Sequence, residues 1–199
     1  PPPVFLVEPA QDGERRLEVR KDVATPYIFI GHHVPNAKSE DYYALRLLSD
    51  ILSSGKSSRL YSSLIDRQQL ATTVFSSYDE SFDPTLFGIA GVTNKGVDVA
   101  ALETAIYAEI EKIKTEGVNA RELEKVKNGK LIDFYGQVET INGKSNNLGT
   151  YEVFFGDYKK MFEAPTRYNQ VTADDIKRVA NTYFRKNNRT VGILKSKVD

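Results

Sequence analysis

The sequence predicts an α+β fold, a mostly antiparallel sheet with helices packed on one face. Segments of strand character gather in the first half, and amphipathic helical periodicity fills most of the second. The resulting order is strands, two helices, two strands, then helices and a last strand, which suits a sheet covered on one side.

The segment from Glu14 to Lys21 alternates charged and apolar residues, as a half-exposed strand does, and Pro26 to Val34 is β-branched and aromatic enough for a more central strand. Ser39 is a good N-cap for a helix running to about Ser54, with apolar side chains at 44, 45, 47, 48, 51 and 52. Gly55 then reads as a left-handed stop, the serines after it as caps, and Ser57 to Asp66 as a second short helix. Thr72 to Tyr78 and Leu86 to Val92 are predicted strands joined by a turn around Asp83-Pro84. Val97 to Thr115 carries apolar residues at 99, 102, 106, 110 and 113, one face of a helix that Gly117 ends.

Asn119 caps a longer helix through Leu123, Val126, Leu131 and Phe134, whose far end Gly129, Gly136 and Gly143 weaken. Leu148 to Phe155 and Tyr158 to Tyr168 read as shorter helices. Thr172, with acids in the following turn, opens a helix to Phe184, and Thr190 to Leu194 is a closing strand. The opening Pro1-Pro2-Pro3 reads as extended linker, so residues 1–13 are expected to lead in from a preceding half, and 14–199 to form one α+β domain.

A chain of 199 residues can bury roughly 70% of its unfolded surface, enough for a core without staples. Lysine plus arginine equal aspartate plus glutamate at 27 each, so no bulk charge steers the chain toward nucleic acid or anionic lipid. The absence of cysteine rules out disulfides, thiolate metal sites and cysteine nucleophiles. No apolar run approaches the length of a membrane-spanning helix.

Candidate chemistry is sparse. The only histidines, His32 and His33, are neighbours on a strand and point to opposite faces, so they do not share a metal; one is expected to be packed and the other exposed. Glu122 and Glu124 diverge on a helix, Asp174 and Asp175 favour a helix start, and the charges from Glu122 to Lys127 read as a solvated face with intrahelical pairs. Gly55-Lys56-Ser57 ends like a phosphate loop, but Asp50 stands where that motif needs its first glycine, and the preceding run is helical instead of a strand. The residues by themselves describe a domain with no visible catalytic centre.

Four stretches in this order resemble the pitrilysin and insulinase group of inverted-motif zinc peptidases, which includes mitochondrial processing peptidases and bacterial zinc proteases. They are Glu14-Arg15-Arg16, Tyr43 to Tyr61, Thr115 to Lys127 and Val171 to Phe184. The resemblance implies two similar halves facing each other like a clamshell, the first holding zinc through His-x-x-Glu-His and a distant glutamate. This chain resembles the second, C-terminal half. Arg46, Ser49 and Asp50 fall where the two histidines and the glutamate would be, and they cannot replace them. No catalytic residue and no metal ligand is therefore expected here, with zinc confined to the preceding half of a parent whose motif is intact.

In active relatives the second half also contributes an arginine and, seven residues on, a tyrosine that reach the scissile peptide. The pattern Leu-Arg-x-x-x-Gly-Leu-x-Tyr aligns with Leu64 to Thr72, which puts Ile65 at the arginine and Thr72 at the tyrosine. Arg67 and Tyr78 are offset from those positions and do not inherit their roles. Two accounts follow. The domain supports proteolysis by a zinc-bearing half, with a homologous partner subunit supplying the missing pair, or it is a structural or peptide-binding scaffold like the core subunits of a respiratory complex. The partners implied are its own N-terminal half, such a subunit and a peptide or protein substrate, in a chamber of which this domain forms one wall. For a bacterial source the resemblance favours a periplasmic or exported setting.

Overall fold

The computed structural model of the chain describes residues 9–197, so most of the expected linker, together with Val198 and Asp199, lies outside the described residues. Strands β1 (Arg15–Lys21), β2 (Tyr27–Val34), β3 (Ala71–Ser77), β4 (Thr85–Thr93) and β5 (Arg189–Ser196) form one sheet in the order β1-β5-β2-β4-β3. Only β1 with β5 is parallel; the other three pairings are antiparallel. The helices are α1 (Tyr42–Ser53), α2 (Val99–Glu116), α3 (Ala120–Glu139), α4 (Ile141–Thr150), α5 (Lys160–Gln170) and α6 (Ala173–Tyr183).

Strand alternation decides which side they cover. Ile28, Ile30, His32 and Val34 of β2, Phe87 and Ile89 of β4 and Val191 of β5 point to one face, each 3% exposed or less. That face shares a core with Leu45, Leu48 and Leu52 of α1, Leu102 and Ile106 of α2, and Ile176 and Val179 of α6. Each apolar side chain here contributes about 1.5–3 kcal/mol on burial, so packing outweighs helix propensity in holding these elements. Gly91 lets α2 come close, since a Cβ there would sit 3.0 Å from the Leu102 side chain. Helices α3 and α5 pack on α1 as an outer tier.

Several sequence expectations need correction. Ser39 does not cap α1: its Oγ accepts from the Asp41 amide in a turn, and the helix starts only at Tyr42. Asp41 occupies the cap position, yet its carboxylate turns to Arg178 Nη2 at 2.7 Å and to the Tyr183 hydroxyl at 2.6 Å, tying α1 to α6. The helix expected from Ser57 winds over Tyr61–Arg67 as a π-helix, and no serine side chain caps it. Strand β1 is exposed along its whole length, because it is an edge strand, although Arg16 reaches from it to Glu103 of α2. Gly129 and Gly136 do not end α3, which runs to Glu139 before α4 begins. The next expected helix is likewise shifted, to α4 followed by a π-turn at Tyr151–Phe155.

The Asn119 and Thr172 caps form as the sequence requires. Each is a reciprocal capping box, with Glu122 and Asp175 returning the hydrogen bond. Among the described residues no helix is long and apolar enough to cross a membrane.

Candidate functional site

The positions singled out on α1 lie against the outer edge of β3 and against α3. Arg46 Nη1 donates to the Tyr78 carbonyl and, at 3.1 Å, to Asp79 Oδ1. Burial works against its charge, but the fields of Tyr42, Tyr168, Glu80 and Asp79 outweigh that and raise its pKa above the ordinary arginine value. Ser49 Oγ lies 3.1 Å from Ser76 Oγ on β3, and Ser53 Oγ accepts from the Ser76 amide at 2.9 Å. Asp50 Oδ2 meets Lys130 Nζ of α3 at 2.8 Å.

Three residues that a metal centre would make converge therefore diverge to separate partners. The Asp50 carboxylate has its charge balanced by the Lys130 ammonium of α3. Among the described residues no three histidine, aspartate or glutamate side chains are grouped to hold a metal ion. The donor set does not fit zinc, which needs nitrogen, sulfur or carboxylate ligands at tetrahedral positions. Incubated with zinc and casein, the chain is expected to release the metal on desalting and leave casein intact. Stoichiometric zinc together with hydrolysis that EDTA abolishes would overturn this.

Ile65, on the π-helix, is half-buried and packs against the core. Thr72 faces outward at the start of β3, where the register with β4 shifts between Ala71 and Thr73, and its hydroxyl reaches only the Val92 carbonyl at 3.4 Å. The two do not form a joint polar site. Arg67 is exposed and bonds back to the Ser62 carbonyl, while Tyr78 is buried with its hydroxyl on the Pro35 carbonyl at 2.8 Å. His32 is buried on the helix-covered face and His33 half-buried on the other, so the two rings are separated as strand alternation requires.

The Gly55-Lys56-Ser57-Ser58-Arg59 corner is a fold clamp. Gly55, at φ +75°, ends α1. Arg59 then forks onto Glu122, Nε to Oε1 at 2.8 Å and Nη2 to Oε2 at 2.9 Å, and its Nη2 also reaches the Gly117 carbonyl. Lys125 Nζ reaches Ser57 Oγ at 2.6 Å and Lys127 Nζ the Asn169 carbonyl at 2.8 Å, so the charges of α3 bridge to other elements and are not a merely solvated face. Lys130 and the Arg59 fork escaped sequence reasoning. Arg59 and Glu122 are 63 residues apart, so no local pattern in the sequence could pair them.

Two recesses flank α1. A cavity of about 230 Å³ is lined by Tyr42, Arg46, Glu80, Lys130, Tyr151 and Tyr168. A larger cleft, about 420 Å³, lies between the β2–α1 loop and helices α5 and α6. Two of its lining arginines are paired, Arg178 with Asp175 and with Asp41 behind the wall, and Arg167 with Glu163.

A family model described as the peptidase M16 inactive domain matches residues 1–130. Zinc protease PqqE of Helicobacter pylori is 33% identical over 195 residues, 98% of this chain and 44% of that protein. Zinc protease YmxG of Bacillus subtilis, itself uncharacterized, is 24% identical over 85% of this chain and 41% of its own length. The crystal structure of a protease from Helicobacter pylori superposes with a TM-score of 0.92 at 32% identity, covering 98% of this chain and 47% of that one. The inactive peptidase domain of a candidate zinc protease from Bordetella parapertussis gives 0.77 at 26% identity, covering 88% of this chain and 92% of its own. The chain thus spans under half the length of the curated relatives it matches.

Proposed function

The chain belongs to the peptidase M16 inactive-domain family, and from that membership we propose that it forms one wall of a peptide-enclosing chamber in a longer zinc peptidase. In this reading a zinc-bearing half of the same parent cuts the peptide, and the present domain holds it in extended form along the outer edge of β3.

The observation that carries the reading is the character of that edge beside α1. β3 is an outermost strand, its sequence Ala71 to Ser77 has no charge and no proline, and those are the residues that usually protect an edge from pairing. Its second half is already occupied, since the Ser76 amide donates to Ser53 and the Tyr78 carbonyl accepts from Arg46. Strand alternation turns the Val74 amide and carbonyl the same way as those of Ser76, which supports pairing of an added strand from Thr72 to Val74. Backbone pairing gives affinity without demanding a particular side chain, so Ile65 and Thr72 do not have to reproduce an arginine and a tyrosine.

A benzoylphenylalanine at Thr72 of the parent polypeptide is expected to cross-link an unfolded casein peptide on illumination. The same group at Ile132, which is 71% exposed on α3, should not. Equal labelling at both positions, or none at Thr72, would discard the β3 edge as the binding strand.

A further inference from the structure

Three of the eleven tyrosines, Tyr42 of α1, Tyr151 of the turn after α4 and Tyr168 of α5, wall the smaller recess, the cavity of about 230 Å³ between α1, α3, α4 and α5. Neighbouring rings fix their orientation. Tyr42 meets Phe155 edge-on at 5.2 Å, Tyr151 stacks on Phe155 at 4.6 Å, and Tyr168 meets Tyr43 edge-on at 4.9 Å. Phe134 of α3 adds a fourth aromatic side, and Asn146 and Thr150 add oxygen acceptors. Walls held in this way lose little further freedom when the cavity fills.

Four charged side chains line the same space, two of each sign, and their pairing leaves the negative ones uncompensated. Lys130 is matched to Asp50, outside the lining, at 2.8 Å. Arg46 lies within the field of Glu80 but commits Nη1 to the Tyr78 carbonyl and to Asp79, also outside the lining. Glu80 accepts only from the Tyr42 hydroxyl, and among the described residues Asp133 has no hydrogen bond or ion pair. Burial raises the pKa of Tyr42, Tyr151 and Tyr168, and the Glu80 charge adds to the rise at each, so a negative field reaches all three rings.

We propose that this cavity binds a small organic cation, a primary ammonium group on a short alkyl stem, its charge answering Glu80 and Asp133 and its stem lying against the tyrosine rings. Aromatic faces attract a cation, and carboxylates give it charge-assisted hydrogen bonds. An anion would meet Glu80 and Asp133 with both basic side chains already engaged. A neutral ligand would leave the two carboxylates unbalanced. The volume lies below the roughly 300–1,000 Å³ of drug-sized pockets, which suits a ligand of few heavy atoms. The assignment does not depend on the β3 edge as a binding strand.

Titration calorimetry of the parent polypeptide at pH 7 with butylammonium, butyramide and butyrate, which share a stem and differ in charge, tests it. Butylammonium is expected to bind, and the other two to give no saturable heat. Glu80→Gln, which keeps an oxygen for the Tyr42 hydroxyl, and Asp133→Asn, on an exposed helical position, should each weaken butylammonium by about tenfold. Asp83→Asn, on the β3–β4 turn outside the cavity, should leave the affinity unchanged. Butyrate binding as tightly as butylammonium, or equal butylammonium affinity in wild type and both cavity variants, would overturn the assignment. N-acetyl-lysine methylamide is the competitor that separates the sources of the ammonium group. Its displacing butylammonium would support a lysine side chain of a polypeptide as the occupant, and its failure to do so a free amine, the cavity being a cation site in either case.

Discussion

Replacing Arg59 by alanine is expected to destabilise the domain by about 2–3 kcal/mol, seen as a fall in melting temperature of roughly 5–10 °C. The fork onto Glu122 joins the corner after α1 to the first turn of α3, and both side chains are largely shielded, with 17% and 27% of their surface exposed. Charge-assisted bidentate pairs of this geometry are among the stronger side-chain contacts. Without the guanidinium, Glu122 keeps its capping bond to the Asn119 amide but loses the hydrogen bonds from Arg59, which lead the causes holding its pKa below the usual carboxylate range; burial opposes them. The carboxylate therefore stabilises the fold above its unfolded pKa, and that contribution fades as pH falls through the lower folded value. Glu122→Gln preserves the capping box, so urea denaturation of the two single variants and the double variant isolates the ion pair. A coupling of at least 1 kcal/mol is expected at pH 7, and strictly additive losses would show that the fork is ornamental.

Acid is expected to weaken the fold before the carboxylates begin to titrate, because of His32. This ring is 2% exposed, lies 4.8 Å from the Phe184 ring, and makes no hydrogen bond of ordinary geometry at either nitrogen. Burial pushes its pKa down to about 3, with the positive fields of Arg189 and Lys114 adding to that and the Tyr183 backbone opposing. The unfolded chain takes up the proton near pH 6.5 and the folded one does not. Stability is therefore full above about 6.5 and is lost as pH falls toward 3, by about 2 kcal/mol at pH 5. Urea midpoints between pH 7 and 5 measure the loss. A His32→Leu variant should flatten that part of the profile while staying folded at pH 7, since it removes two polar atoms that no hydrogen bond satisfies. If wild type and variant lost stability in parallel between pH 7 and 5, another group would have to be responsible.

Both predictions concern contacts between elements far apart in sequence, and that is where sequence reading ran out. The α+β class, the sheet strands, the Gly55 and Gly117 stops and the Asn119 and Thr172 capping boxes were legible because each depends on residues within a turn or two of one another. The lack of zinc ligands on α1 was legible for a similar reason: a helix fixes the spacing of 46, 49 and 50. The resemblance stretches drew attention as motifs, yet in the structure much of their polar chemistry is tertiary. Arg16 Nη1 and Nη2 grip Glu103 at 2.7 and 2.8 Å, Arg59 grips Glu122, Asp50 pairs with Lys130 and Asp41 with Arg178.

The chain by itself therefore determined its class and the absence of the zinc motif on α1, both consequences of local spacing, while its family likeness came from four resembling stretches in order. Only the tertiary structure decided that Ser53 and Arg46 close half of the β3 edge, that Lys130 stands opposite Asp50, and that Leu17, Gly192, Phe29, Ala90 and Phe75 fall in one uncharged row. Strand order and register bring residues 17, 192, 29, 90 and 75 into a single row, and no period along the chain encodes that order.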